Sequence, residues 1–135
     1  MAVWAIIENK NEILLIKRSE STSISGQWCF PGGGIKHAES PESACVREAK
    51  EEVGLNIEIL EFLMEYEGEY FYKCCIVDND HEITLKLNEC DSYSWVQPKY
   101  ILSLGIIMDL KKVYMVLNSM GYQIELNDEA RNIIS

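Results

Sequence analysis

Gly33-Gly34-Ile35-Lys36-His37-Ala38-Glu39, then Ser40-Pro41-Glu42, then Arg47-Glu48-Ala49-Lys50-Glu51-Glu52-Val53-Gly54-Leu55, is the stretch that decides how this chain is read. Ser40-Pro41-Glu42 marks a helix start. A hydroxyl N-cap precedes a proline where no N–H is needed, and an acid follows near the positive end of the helix. Gly54, before Leu55 and Asn56, marks the stop, because glycine takes the left-handed position just past a helix. Between them, at about 100° per residue, Cys45, Val46, Ala49 and Val53 form one apolar stripe. Glu48, Glu51 and Glu52 share an adjoining arc, since i+3 and i+4 neighbours project from one face.

That arc is poor for stability. Like charges at i,i+4 repel, and acids in a last turn meet the negative end of the helix dipole. Hard divalent cations remove the conflict, because Mg²⁺ takes oxygen ligands and bridges to phosphates. The expected cofactor is therefore Mg²⁺, with Mn²⁺ as its substitute. Arg47, beside Glu48 and four residues before Glu51, is placed to hold a carboxylate in one rotamer by a charge-assisted contact. Pro31-Gly32-Gly33-Gly34 precedes the helix, and successive glycines permit positive φ and close approach of backbone to a ligand.

The segment fits G-x5-E-x7-R-E-U-x-E-E-x-G-U (U apolar) at every fixed position. With common residues at roughly 7% each, seven fixed letters match by chance about once in a hundred million starts. It resembles the signature of the Nudix hydrolases. The resemblance implies that Glu48, Glu51 and Glu52 bind metal, with the Gly33 carbonyl joining them. Glu51 or Glu52 then serves in catalysis with Arg47 as the orienting residue, and Glu39 ties loop to helix. Glu52 is the first choice for water activation. Glu89, six residues before Trp95, is a further candidate ligand or base from outside the helix. Lys36, where many relatives carry Glu, and Trp28 are candidate substrate contacts; Ala38 stands where many carry Gly, and His37 is expected to face solvent.

The rest of the chain fits one domain. Its 135 residues suffice for a single core, and 47% are apolar. No apolar run approaches the roughly 20 residues that span a bilayer. No charged-then-apolar leader follows Met1, which predicts a cytoplasmic protein without membrane partners. Acids outnumber bases 22 to 12, for a formal charge of −10. This argues against an extended nucleic-acid partner, which needs Lys and Arg to displace counterions. A small nucleotide is compatible, and a monomer or homodimer is expected. Cys29, Cys45, Cys74, Cys75 and Cys90 are odd in number and lack a C-x-x-C pair, so reduced thiols are expected rather than disulfides or structural zinc.

Apolar residues 2–7 and 13–16, around a polar turn, predict a β-hairpin. Residues 26–31 deliver the glycine turn. Residues 57–66, 70–77, 83–87 and 93–96 read as strands, with a turn at Asp78-Asn79-Asp80. Residues 101–120 carry one helical pattern, ended by Gly121. The expected architecture is α/β, a mixed β-sheet between helices, and the resemblance names it as the Nudix α/β/α sandwich. Residues 1–120 form the expected domain, leaving 121–135 as a C-terminal tail.

The chemistry implied is hydrolysis of a nucleoside diphosphate linked to another group. The aromatic-proline motif of NADH hydrolases is absent, and no proline lies between Leu55 and Pro98, which removes a marker of many ADP-ribose hydrolases. Tyr70 and Tyr72 lie near the tyrosine of dinucleoside polyphosphate hydrolases. The compact length and the segment Asp91 to Pro98 are most similar to MutT-type enzymes, which implies cleavage of (deoxy)nucleoside triphosphates to monophosphate and pyrophosphate. ADP-ribose and dinucleoside polyphosphates are the alternative substrates. A non-catalytic nucleotide sensor of the same fold would usually lack a glutamate, and here all are present. Trp4, Trp28, Tyr70 and Phe71 are the aromatics available to stack on a base.

Overall fold

The computed structural model describes residues 1–77 and 82–135. The expected turn at Asp78-Asn79-Asp80, and His81, lie outside them. Strand β1 (Ala2–Asn9) turns through Lys10 and Asn11, at φ 52° and 66°, into β2 (Glu12–Arg18). Two left-handed residues in a two-residue turn match the twist of a hairpin. The other edge of β1 runs parallel to β6 (Glu69–Ile76), from Ala2 opposite Glu69 to Ile7 opposite Cys74. Strand β5 (Ile57–Tyr66) lies antiparallel outside β6. Strand β2 carries β7 (Cys90–Val96) along one edge and the short β3 (Trp28–Cys29) at its far end. The glycines themselves form β4 (Gly32–Gly34), antiparallel to the start of β1.

Side chains alternate across a strand, and the alternation here builds two cores. Val3, Ala5, Ile7, Leu14, Ile16, Tyr72 and Cys74 face helix α1 (Pro41–Val53). Ile6, Ile13, Leu15 and Phe71 face the opposite layer, helix α2 (Leu110–Ser119) and helix α3 (Asp128–Ile134). Burial on both faces explains why residues 2–7 and 13–16 are continuously apolar instead of alternating. The architecture is the expected mixed sheet between helices. Residues 121–135 are built into it. Asn127 caps α3 by accepting from Ala130 N–H at 2.7 Å, Ala130 is buried, and the Tyr122 hydroxyl donates to Glu8 at 2.9 Å.

Four local expectations change. Residues 83–87 form no strand. Their N–H groups go to the orphan carbonyls of α1, Thr84 to Val53 at 2.9 Å and Lys86 to Glu52 at 3.0 Å. Their alternation reports an extended, half-buried strap and not a ladder. The pattern over residues 101–120 splits into a 3₁₀ turn (Pro98–Leu104), an irregular stretch and α2. Gly105 at φ 134°, ψ −146° and Asp109 at φ 50° break it, because neither conformation continues a helix. Val46 leaves the apolar stripe and is 39% exposed. Finally, none of Gly32, Gly33 and Gly34 has a positive φ. They are needed for close approach. A Cβ on Gly32 would lie 2.1 Å from the Val3 carbonyl oxygen.

Candidate active site

Helix α1 begins where Ser40 accepts from Ser43 N–H at 3.1 Å and ends at Gly54, φ 75°, whose N–H donates to Lys50. Ala44, Cys45, Ala49 and Val53 bury its inner face, and Glu52 is buried with them, 3% exposed. The three glutamates of one arc thus have three environments. Glu52 points into the protein, Glu48 is half-buried, and Glu51 stays exposed. Gly32 N–H donates to Glu52 Oε1 at 3.0 Å. The Glu48 carboxylate lies against Gly33, where an added Cβ would come within 2.7–2.8 Å of it. Strand β4 is therefore the wall against which two of the carboxylates rest.

Arg47 organises the others. Its Nε and Nη2 form a fork on Glu39 at 2.7 and 2.8 Å. Nη1 donates to Glu48 and Glu51, both at 3.0 Å, and Nη2 also donates to the Gly34 carbonyl at 3.0 Å. A guanidinium has five N–H donors, so all of them are committed within the protein. Glu39 in turn accepts from Lys36 N–H at 3.0 Å. The Arg47 fork, and then that amide, hold the Glu39 carboxyl down at about 2. Loop and helix are tied together as the resemblance implied.

Glu89 arrives from a distant part of the chain. Its N–H donates to the Lys86 carbonyl, its own carbonyl accepts from Ser19 N–H, and its charge acts on the Glu52 carboxyl. Burial pushes the Glu52 carboxyl up to about 8; the Gly32 N–H works against this, and the charges of Glu48 and Glu89 add to the rise. Burial also raises Glu48, partly offset by Arg47. Lys86 pairs with Glu89 at 3.3 Å, and Glu51 and Glu48 also act on its ammonium. Sequence reasoning missed Lys86 and the Gly32 amide. A lysine in an alternating run and a backbone N–H carry no mark in the sequence.

The candidate substrate contacts lie apart. Lys36 and His37 are exposed. Trp28 spends its N–H on Ile106 and its carbonyl on Met108 N–H, and its ring edge stands near Gly105. Tyr70 packs on Phe62, ring centroids 6.4 Å apart. Trp4 and Phe71 line a narrow cleft with Asp109, on the α2 side of the sheet. Asp109 also lines a cavity of about 320 Å³ between residues 102–110 and α3. Trp4 also lies against Gly32, whose Cβ would come 2.7 Å from its ring.

The donor chemistry suits a hard cation. Glu52, Glu48 and Glu89 press on one another, and among the ion pairs of the described residues none neutralises Glu52. Such a group of oxygen ligands gains from a dication. Among the described residues no three acidic, cysteine or histidine side chains yet converge on one point; Arg47 draws Glu48 and Glu51 toward itself.

The family model of the NUDIX domain matches residues 1–115. The chain belongs to the Nudix family. It is a Nudix pyrophosphohydrolase, and its relatives act on nucleotides. A CTP pyrophosphohydrolase from Escherichia coli (strain K12) is 31% identical to it over 124 residues, covering 87% of this chain and 92% of that protein. Among solved structures, a MutT protein from Methanosarcina mazei Go1 matches with a TM-score of 0.68 at 25% identity, over 90% of this chain and 94% of that one. A C. elegans Ap4A hydrolase shares the fold, with a TM-score of 0.70 at 19% identity over 90% and 96%. Divalent metal ions are general cofactors of Nudix hydrolases. No helix among the described residues is long and apolar enough to cross a membrane.

Proposed function

We propose that this Nudix enzyme cleaves (deoxy)nucleoside triphosphates between the α and β phosphates with Mg²⁺, releasing monophosphate and pyrophosphate. The observation that carries the reading is Glu52. A buried carboxyl raised to about 8 between Glu48 and Glu89 favours positive charge beside it. Glu48, Glu51, Glu52 and the Gly33 carbonyl would hold the metal, with Glu89 as a further ligand. When bound, the ion lowers the pKa of water and neutralises charge developing on the phosphates.

The chain's own groups do the rest. Ionised by the positive charge beside it, Glu52 would take the proton of the attacking water, with one of its oxygens fixed by the Gly32 N–H. Arg47 holds Glu48 and Glu51 at set rotamers and keeps Glu39 locked to the loop, so the carboxylates are oriented before substrate arrives. Trp4, directly behind Gly32, is the aromatic best placed to stack on the base, ahead of Trp28, Tyr70 and Phe71. Triphosphates are favoured over ADP-ribose by the missing downstream proline and by the similarity to the CTP pyrophosphohydrolase along most of both chains.

Turnover of a panel of triphosphates, ADP-ribose, NADH and diadenosine polyphosphates with Mg²⁺ tests this. Triphosphates should be preferred, with pyrophosphate as a product, and exhaustive chelation should abolish turnover. A clear preference for ADP-ribose or a dinucleoside polyphosphate would overturn the substrate assignment.

A further inference from the structure

Among the described residues, the ion pairs of these glutamates come from two cations. Arg47 serves Glu39, Glu48 and Glu51, and Lys86 serves Glu89. They are not equivalent. Arg47 has spent all five donors and is half-buried, so it has nothing left for a ligand. The Lys86 ammonium pairs with Glu89 at 3.3 Å, and its side chain is 43% exposed. Such an exposed pair contributes little and exchanges readily.

The backbone beneath this flexible side chain is fixed. Lys86 N–H donates to the Glu52 carbonyl at 3.0 Å, and its own carbonyl accepts from Glu89 N–H and Cys90 N–H, both at 2.9 Å. The lysine is thus anchored to the last turn of the glutamate helix and to the strap that carries Glu89. A polyphosphate brought to this face meets five glutamates and needs cationic donors that the protein has not already committed.

We propose that Lys86 is a phosphate-binding residue of this enzyme: its ammonium exchanges Glu89 for the terminal phosphates of the substrate, and the exchange releases the Glu89 carboxylate toward the metal. The assignment rests on the pyrophosphohydrolase reading above, but it concerns the pyrophosphate group and does not depend on which nucleoside is attached. Without ligand, Lys86 and a divalent cation compete for Glu89. With ligand, Lys86 would bind the phosphates, and Glu89 would be free to hold the cation.

Two binding titrations on intact protein test this independently of turnover. Isothermal calorimetry would measure Mg²⁺ alone, and then inorganic pyrophosphate in saturating Mg²⁺, for wild type, Lys86→Gln and Lys86→Arg. Removing the charge should weaken pyrophosphate about ten-fold, roughly 1.4 kcal/mol, while Mg²⁺ binds as tightly as before or tighter. Lys86→Arg should retain most of the pyrophosphate affinity. If Lys86→Gln weakens both ligands, the residue only supports the fold; if it moves neither, the ammonium is a bystander. Either result overturns the proposal. A wild type that binds Mg-pyrophosphate but prefers ADP-ribose would instead refute the substrate assignment and leave Lys86 standing.

Discussion

The two faces of the sheet are packed with different kinds of residue. Toward α1 the buried set mixes large side chains such as Leu14, Ile16, Leu55 and Tyr72 with small ones and thiols, Ala5, Ala44, Ala49, Cys29, Cys45, Cys74 and Cys90, and Glu52 lies among them. Toward α2 and α3 it includes Ile6, Ile13, Leu15, Phe30, Ile101, Val113, Val116 and Leu117, large and wholly apolar. Small residues let a helix approach its sheet closely, and here the approach brings Glu52 to the Gly32 amide and Glu48 under Gly33. Large branched residues fill volume and remove more apolar surface from water. One face holds the carboxylates among its packed side chains, and the other is wholly apolar and carries the 320 Å³ cavity.

Leu117→Ala probes the wholly apolar face and carries the largest expected cost. Leu117 is fully buried, and such truncations cost about 2–5 kcal/mol. Urea denaturation should show that loss while kcat of the folded enzyme is unchanged. A large fall in kcat would mean that the faces are not separable.

Glu52→Gln probes the other face in the opposite sense. Turnover should fall by at least about 10²-fold, the scale of a lost general base or strong electrostatic contribution. Stability should not fall with it. The Glu52 carboxyl is raised from 4.5 to about 8 on folding, so the native state holds its proton where the unfolded state has released it. Stability from this group is present below pH 4.5 and is lost as pH rises through about 8. In chelator-treated protein the melting temperature of Glu52→Gln should therefore gain on wild type between pH 5 and pH 8. A gap independent of pH would break the contrast between the faces.

Gly33→Ala is the finest test. Its Cβ would press on the Glu48 carboxylate at 2.7 Å, and the far end of a side chain can move aside. Misplacing one ligand should slow turnover by about 10-fold, with little change in melting temperature. Equal losses in activity and stability would show that β4 is mainly structural.

The family signature made α1 legible to the residue. Ser40 and Gly54 bound it as expected, because caps are local chemistry between near neighbours. The opening hairpin and strands β5 to β7 were legible for the same reason, as runs of period or polarity that a strand must have. Two errors came from periodicity itself. Residues 83–87 alternate without pairing, and residues 101–120 keep a helical period across Gly105 and Asp109, where the backbone leaves the helix.

What the sequence determined by itself was the kind of chemistry: the spacing of Glu48, Glu51 and Glu52, the guanidinium beside them and the glycines before them. Helical period fixes the angle of each side chain around the axis, so it put the three glutamates on one arc. It does not say what lies across from that arc. Tertiary structure decided that Glu52 is buried, that Glu51 is exposed, and that Val46 leaves the core. It also brought Glu89 and Lys86 to the end of the helix, through a strap whose N–H groups satisfy the carbonyls of Glu52 and Val53. Those contacts span more than 30 residues of sequence, and only the packed sheet brings their ends together.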